Sequence, residues 1–476
     1  MMRFIGRRRE LELIRKELSL PRPSLIVAYG RRRVGKSRLL REAVDGTNEI
    51  YFQATRVSST LNLEAFKAET ARVLGSDPVI QSIESWEGIL HYVANAAGNG
   101  RKGLAVIIDE FPFVIDQDSS LPSVIQKYWD SGAPRKGSLK LILCGSAIAQ
   151  MEELLAERNP LYGRKTMTLE VKQLPLRDAA LFFPGYDSRQ AIEAYGIFGG
   201  IPHYLQLCDP DKDIRQNVVD LLLTETGALV DEPTTLLQTE LRDPGTYSSI
   251  LAAIADGCTT SSEIAGRLRS DSSSLPPYIQ RLSKLDLVNV NKSLDATEKE
   301  RNRRYSLNDP LIAFWHHFVR SNLSAINSGF GERVYEDVIE PRLSEFMGPA
   351  FERICLDHAR LYAQESLGSP AMEIGSIWGH AEFDIDVAGR TLGGSFFYGE
   401  CKWQTKQIDL SVVEKLRLRS ERTVYGAGKT GKNYLLFSRS GYRPEVNELA
   451  KTDTSIHLLE LDDLARYPSR EPALHP

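Results

Sequence analysis

The chain opens with short apolar runs separated by amphipathic stretches, a spacing that predicts beta-alpha units laid onto a parallel sheet. Leu25 to Tyr29, Leu104 to Ile108 and Leu139 to Leu143 are continuously apolar and bounded by turn or charged residues, as strands buried on both faces must be. Glu49 to Phe52 is a further strand candidate, and residues 59–74 and 81–97 carry apolar positions at helical spacing. From about residue 175 the pattern turns helical, through Tyr195 to Leu207, up to a Pro-marked join at Asp231, Glu232 and Pro233. Thr246–Ala255, Ser261–Leu268 and Leu275–Leu285 then read as three short helices, and Leu287–Asn291 and Arg304–Leu307 as a hairpin, together a winged-helix pattern. After an aromatic connector (Phe314, Trp315, Phe318) come a long helix (335–363), strands near 372–377, 382–388 and 395–403, a helix over 409–422 and a strand over 433–439.

Two places in this pattern carry chemistry. Gly30 to Ser37, GRRRVGKS, stands between the first strand and an amphipathic helix and matches the phosphate-binding loop Gly-x-x-x-x-Gly-Lys-Ser/Thr. Its glycines let successive N–H groups turn inward, the helix start adds positive potential, Lys36 reaches terminal phosphates and Ser37 supplies a hydroxyl ligand for magnesium. Arg31, Arg32, Arg33, Val34 and Arg38 complete the expected nucleotide contact. The strand ending at Ile108 delivers Asp109 and Glu110 to the same sheet edge, Asp109 as candidate metal-shell ligand and Glu110 as water activator. Ser146, after the third strand, is a candidate gamma-phosphate sensor or a helix cap; Arg164 is a candidate arginine finger or an ordinary surface arginine.

The second place is EFDID followed by GECKW. Glu382, Asp384 and Asp386 alternate, so in a strand they share one face while Phe383, Ile385 and Val387 point to the core. A hairpin would bring Asp384, Glu400 and Lys402 together, two carboxylates for a magnesium ion and an ammonium to position water at a phosphodiester. Charge pairs crossing an exposed hairpin give the same pattern.

Composition narrows the class. At 476 residues with 42% apolar and 26% charged content, the chain calls for several domains and lacks any apolar run of membrane-spanning length, which leads to a cytoplasmic expectation. Five scattered cysteines without a Cys-x-x-Cys pair argue against a disulfide frame or zinc site. The net charge of -4 gives no global case for nucleic acid, but residues 1–41 hold 13 Lys or Arg against three Glu, around the phosphate loop. Gln280, Arg281 and Lys284 on the third short helix, with Arg301, Arg303 and Arg304 in the wing, offer a DNA-facing distribution that Glu298 and Glu300 dilute. His316 and His317 beside Trp315 read as packing residues.

FIGRRRELELI, the phosphate loop, IIDEFPF, LCGS, LYGR and FGGIPHYL follow one another in an order that resembles the archaeal-type ATPases of the AAA+-related STAND class. That resemblance spans essentially the whole chain and implies that Ile5, Gly6 and Arg7 lie near adenine and that Gly199 to Pro202 form a nucleotide-sensing lid element. The last region resembles the PD-(D/E)xK restriction-endonuclease-like fold, with Phe383 at the position of the family's proline and Glu352 as an additional acid. The expected organisation is thus α/β: a P-loop ATPase domain with a helical lid over 1–232, a winged helix over 233–310, a connector over 311–334 and a nuclease-like domain over 335–476. The expected ligands are ATP, Mg2+ and DNA; a homo-oligomer or protein partner is also open. The competing expectation is an ATP-dependent switch or scaffold whose nuclease-like domain is degenerate.

Overall fold

A computed structural model describes residues 4–45, 48–98, 104–132, 139–296, 303–379 and 383–468. Glu298, Glu300, Arg301 and Glu382, singled out above, lie outside the described residues. The chain divides into two compact units, one of residues 1–174 and 201–203, the other of 175–200 and 204–476.

In the first unit five strands, β1 (Ser24–Tyr29), β2 (Glu49–Gln53), β3 (Ala105–Asp109), β4 (Lys140–Gly145) and β5 (Met167–Glu170), form a sheet in the order β2-β3-β4-β1-β5, parallel throughout. Every residue of β1, β3 and β4 is buried, because these central strands are covered on both faces. Each fully buried Val, Leu or Ile there contributes about 1.5–3 kcal/mol of transfer free energy. The order has a functional consequence. With β4 lying between β1 and β3, the chain leaving β4 emerges between the loop after β1 and the acids after β3.

The second unit begins with the helical segment that the sequence pattern assigns to the nucleotide domain. Helix Ser188–Phe198 packs on helices 310–314, 340–367 and 461–465, so closely that a Cβ on Gly196 would lie 2.6 Å from Met347. Burial of Ile192, Ile197 and Phe198 is satisfied inside the second unit, and the expected boundary at residue 232 does not coincide with the division. Helices Pro244–Ala255, Ser261–Leu268 and Pro276–Lys284 precede an antiparallel hairpin of β6 (Val288–Lys292) and β7 (Arg303–Leu307). The middle helix starts with a capping box, Thr260 and Glu263 satisfying each other's backbone N–H.

Beyond it, β8 (Ala371–Ile377), β9 (Ile385–Thr391), β10 (Phe396–Lys402), β11 (Lys432–Ser438) and β12 (Ile456–Leu459) make a mixed sheet in the order β12-β11-β10-β9-β8. The pairs β8–β9 and β9–β10 are antiparallel, β10–β11 and β11–β12 parallel. Helix Glu340–Leu367 packs on β8, β9 and β10, and a core including Ala388, Tyr398, Leu416 and Leu436 fills the space beneath helix Leu410–Arg422. Among the described residues, no helix is long and apolar enough to cross a membrane.

Candidate functional sites

The loop after β1 is set by backbone demands. Gly30 has no alternative: a Cβ there would stand 2.2 Å from the Val171 carbonyl oxygen. Gly35 holds φ at 87° as the cap of helix Lys36–Val44, and having no side chain it offers the first turn no side-chain cap. No acidic residue occupies that first turn, so the positive helix end is not neutralised locally. Lys36 Nζ donates to the carbonyl oxygens of Gly30 (2.8 Å) and Arg31 (3.0 Å), which holds its ammonium within the curl of the loop. Arg31 is buried, Arg32 and Val34 line the loop, and Arg33 and Arg38 are exposed.

Arg7 braces this loop. Buried and at φ 58°, it donates to the carbonyl oxygens of Val34 and Lys172, both at 2.6 Å, and pairs with Glu10 at 3.1 Å. The Ile5–Gly6–Arg7 turn therefore ties the loop backbone to the chain leaving β5, whatever else it touches. Pro202 also reaches the loop: a Cβ on Gly35 would meet its Cγ at 3.6 Å. His203, next to it, is held below the usual imidazole range by burial and by Arg33.

Two acids close β3. Asp109 Oδ2 accepts from Ser37 Oγ and from the Tyr51 hydroxyl, both at 2.5 Å, and its Oδ1 accepts from the Glu110 N–H at 3.0 Å. Glu110, in a left-handed conformation at φ 51°, accepts from Ser146 Oγ (2.9 and 3.0 Å) and from the Ser146 N–H (3.3 Å). Ser146 thus sits where the strand order puts it, holding the second acid. Ser37 and Asp109 are hard oxygen donors within bonding distance of one another, a donor set that fits magnesium. Tyr51 was not singled out in the sequence; its strand alternates half-buried and buried positions, and only the pairing of β2 with β3 sets its hydroxyl on Asp109. Burial and the Asp109 carboxylate raise its pKa, so it acts as a donor at neutral pH.

Arg164 has a local occupation. Its guanidinium makes a two-pronged pair with Asp130 (2.8 and 2.9 Å) and donates to the Pro160 and Tyr162 carbonyls.

In the second unit, the acidic strand is corrected by two residues. β9 starts at Ile385, and the carboxylate that the structure sets against Glu400 is Asp386, where Asp384 was expected. Asp384 lies before the strand, where its Oδ1 accepts the Gly379 N–H at 3.1 Å and its Oδ2 is 3.9 Å from Arg304. The register explains the shift: β10 and β9 run antiparallel with Gly399 opposite Val387, which carries Glu400 toward Asp386. Asp386 accepts the Cys401 N–H at 2.8 Å. Burial, Glu400 and Glu352 raise its carboxyl pKa to about 7. Burial also raises that of Glu352, which is solvent-accessible yet ringed by protein, as a group in a cleft wall is. Buried Glu400 accepts from Lys402 Nζ (2.5 Å) and from Arg419 (2.8 Å). Burial pulls the Lys402 pKa down, but Glu400 and Asp386 outweigh it and the net shift is upward. Arg419 is a second partner that the sequence reading missed. Among the described residues, no three His, Cys, Asp or Glu side chains form a ready metal cluster. The chemistry of Asp386, Glu400 and Glu352, crowded carboxylates that a divalent cation would relieve, nonetheless fits a hard metal.

The hairpin arginines are partly committed. Arg304 also lies over the Trp378 ring at 5.4 Å, and the chain after β6 bonds to β8 through Leu294 N to Ser376 O (3.1 Å) and Trp378 N to Ser293 Oγ (3.0 Å). His316 is buried against Trp315 and kept neutral, its pKa pushed down to about 4 by burial and Arg320.

A phosphate loop, a helix start behind it and an Asp-Glu pair two strands away define the first unit as a P-loop ATPase domain, which implies nucleotide binding. In agreement, residues 4–208 match a family described as an ATPase domain predominantly from Archaea, and residues 315–415 one described as archaeal and bacterial proteins of unknown function. An uncharacterized protein of Methanocaldococcus jannaschii is 31% identical over 432 residues, 88% of this chain and 92% of its own. The chain belongs to that archaeal ATPase family. Among solved structures, the Walker-type ATPase PABY2304 of Pyrococcus abyssi shares the fold with a TM-score of 0.50 at 19% identity, over 66% of this chain and 96% of its own.

Proposed function

We propose that the protein binds ATP with magnesium and hydrolyses it, and that the nucleotide cycle governs a nuclease-like carboxylate site acting on nucleic acid. The observation that carries the first half is the Ser37–Asp109 bond of 2.5 Å, which joins the phosphate loop to the acid of β3 across β4. In this reading the loop amides and Lys36 cradle the beta and gamma phosphates, Ser37 and Asp109 hold the metal shell, and Tyr51 fixes the Asp109 carboxylate. The bound metal supplies charge neutralisation on the phosphates. Glu110 acts as base by exchanging its Ser146 partner for the attacking water, so the Ser146 pairing describes a resting arrangement. Ile5 and Gly6 border the adenine, and Arg164 would have to leave Asp130 to serve as a finger.

The second half rests on Asp386, Glu400, Lys402 and Glu352 gathered by one hairpin and one helix, the residue types that metal-assisted phosphodiester hydrolysis uses. The helices of 244–284 with the β6–β7 hairpin read as a winged helix, and the mixed sheet as a restriction-endonuclease-like fold. Residues 201–203 belong to the first unit while their neighbours on both sides belong to the second, which gives the cycle a covalent route between them and suits a STAND-class switch.

The test is phosphate release and oligonucleotide cleavage measured on one preparation with Mg2+ or Mn2+, in parent, Lys36→Ala and Asp386→Asn proteins. Loss of phosphate release in the first and of cleavage in the second supports the reading. Phosphate release without cleavage under any condition favours the switch, whose specific support is that Glu400 is already neutralised by Lys402 and Arg419.

A further inference from the structure

Within the second unit, helix Glu340–Leu367 and the β6–β7 hairpin face each other across a cleft of about 780 Å3. Arg342, Phe346, Pro349, Glu352 and Leu356 line it from the helix, at spacings of three to four residues that put them on one face. Asn289, Asn291 and Tyr305 line it from the hairpin, and Asp386 is also part of its wall. The carboxylate site therefore opens into this cleft. Arg342 and Glu352 are ten residues apart, about 15 Å along a helix. At the Arg342 end, the half-buried rings of His317 and Phe346 lie 5.5 Å apart, and the Arg342 guanidinium is 5.5 Å from the Phe318 ring. Burial and Arg342 hold His317 below the usual imidazole range, so its ring is a neutral face. The chain leaving β6 is fastened to the end of β8 by the bonds of Leu294 and Trp378.

We propose that this cleft is the substrate channel of the carboxylate site and that it admits a single strand of nucleic acid while excluding a duplex. A cleft of about 780 Å3 between one helix and a two-stranded hairpin is too small to enclose a stretch of stacked base pairs. A single strand fits, and the lining supplies what it needs: aromatic and guanidinium faces for bases, amide and phenol groups for their edges, and arginine for phosphate. Asp256, Glu345, Glu352 and Asp386 repel phosphate until a cation offsets them, so binding strengthens with divalent ions. This assignment rests on the nuclease reading for its chemistry, but its binding step is separable from cutting.

The experiment is fluorescence anisotropy with the full chain and a labelled oligonucleotide, single-stranded or as a blunt duplex of the same sequence, in Ca2+ and in EDTA. Mg2+-dependent cleavage of both substrates is followed on the same samples. We expect the single strand to bind at least about ten-fold tighter than the duplex, and Arg342→Glu and Phe346→Ala each to lose about ten-fold, as one stacking or phosphate contact is worth. Unaltered thermal melts of the two variants establish that they are folded. Equal binding of duplex and single strand, or folded variants that bind like the parent, overturns the channel. Single-strand binding sensitive to both variants without cleavage upholds the channel and removes the nuclease; cleavage of blunt duplex as fast as single strand does the reverse.

Discussion

The two acid-and-lysine sites of this chain satisfy their charges in opposite ways. At the phosphate loop, Lys36 bonds to the backbone carbonyls of Gly30 and Arg31, and Asp109 to two hydroxyls and an amide. In the second unit, Lys402 and Arg419 both bond to Glu400, while Asp386 and Glu352 crowd it. A lysine held by dipoles is ready for an anionic ligand. A lysine held by a carboxylate must give up a short charged bond before it can serve a substrate, which is an energetic cost at the second site.

The sharpest break between the two sites comes from their acids. Glu110→Gln should lower ATP turnover by about 100- to 10,000-fold while leaving ATP affinity within a few-fold, because it removes a base and keeps the hydrogen-bonding shape; steady-state phosphate release with a parallel binding titration checks it. Asp386→Asn should abolish metal-dependent cleavage, whereas Asp384→Ala should keep most of it; gel assays of the two proteins side by side decide which residue belongs to the site.

Asp386 also predicts a pH effect of known sign. Its folded-state pKa of about 7 lies above the ordinary carboxyl value of 3.8, so the folded protein keeps a proton that the unfolded chain releases. The favourable contribution is complete below about pH 4 and is lost as pH rises through about 7. Asp386→Asn should therefore be more stable than the parent at pH 8, by about 1–3 kcal/mol, and the gain should shrink toward pH 4. Urea unfolding across that range measures it. The smallest effect belongs to Tyr51→Phe, which removes one donor to Asp109 and should cost about 1 kcal/mol, read as a several-fold higher Mg2+ requirement for turnover.

The same contrast decides what could be read from the sequence. Gly30 to Ser37 work through the local chain, where one backbone clash and one positive φ fix the glycines, so spacing alone locates them. β1, β3 and β4 were legible because strands buried on both faces are unbroken apolar runs. β5 was missed because it is an edge strand with only Leu169 buried, and β12 because it is four residues long. Asp384 and Asp386 share a period-two face, so alternation cannot choose between them; the register of β9 against β10 does. The stretch through Tyr195 to Leu207 is legible as helical, but its break between Phe198 and Pro202 is not, nor are its partners, since Ile192 and Phe198 bury equally well in any apolar setting and Gly196 shows its neighbour only once Met347 is placed.

Nucleotide binding turns on the phosphate loop, and the most direct test is calorimetric titration of ATP with Mg2+ into the parent and Lys36→Ala proteins. The parent should bind one equivalent, and the variant should bind about 100-fold more weakly, the worth of about 3 kcal/mol of charge-assisted contact. A folded variant that binds ATP as tightly as the parent would contradict it.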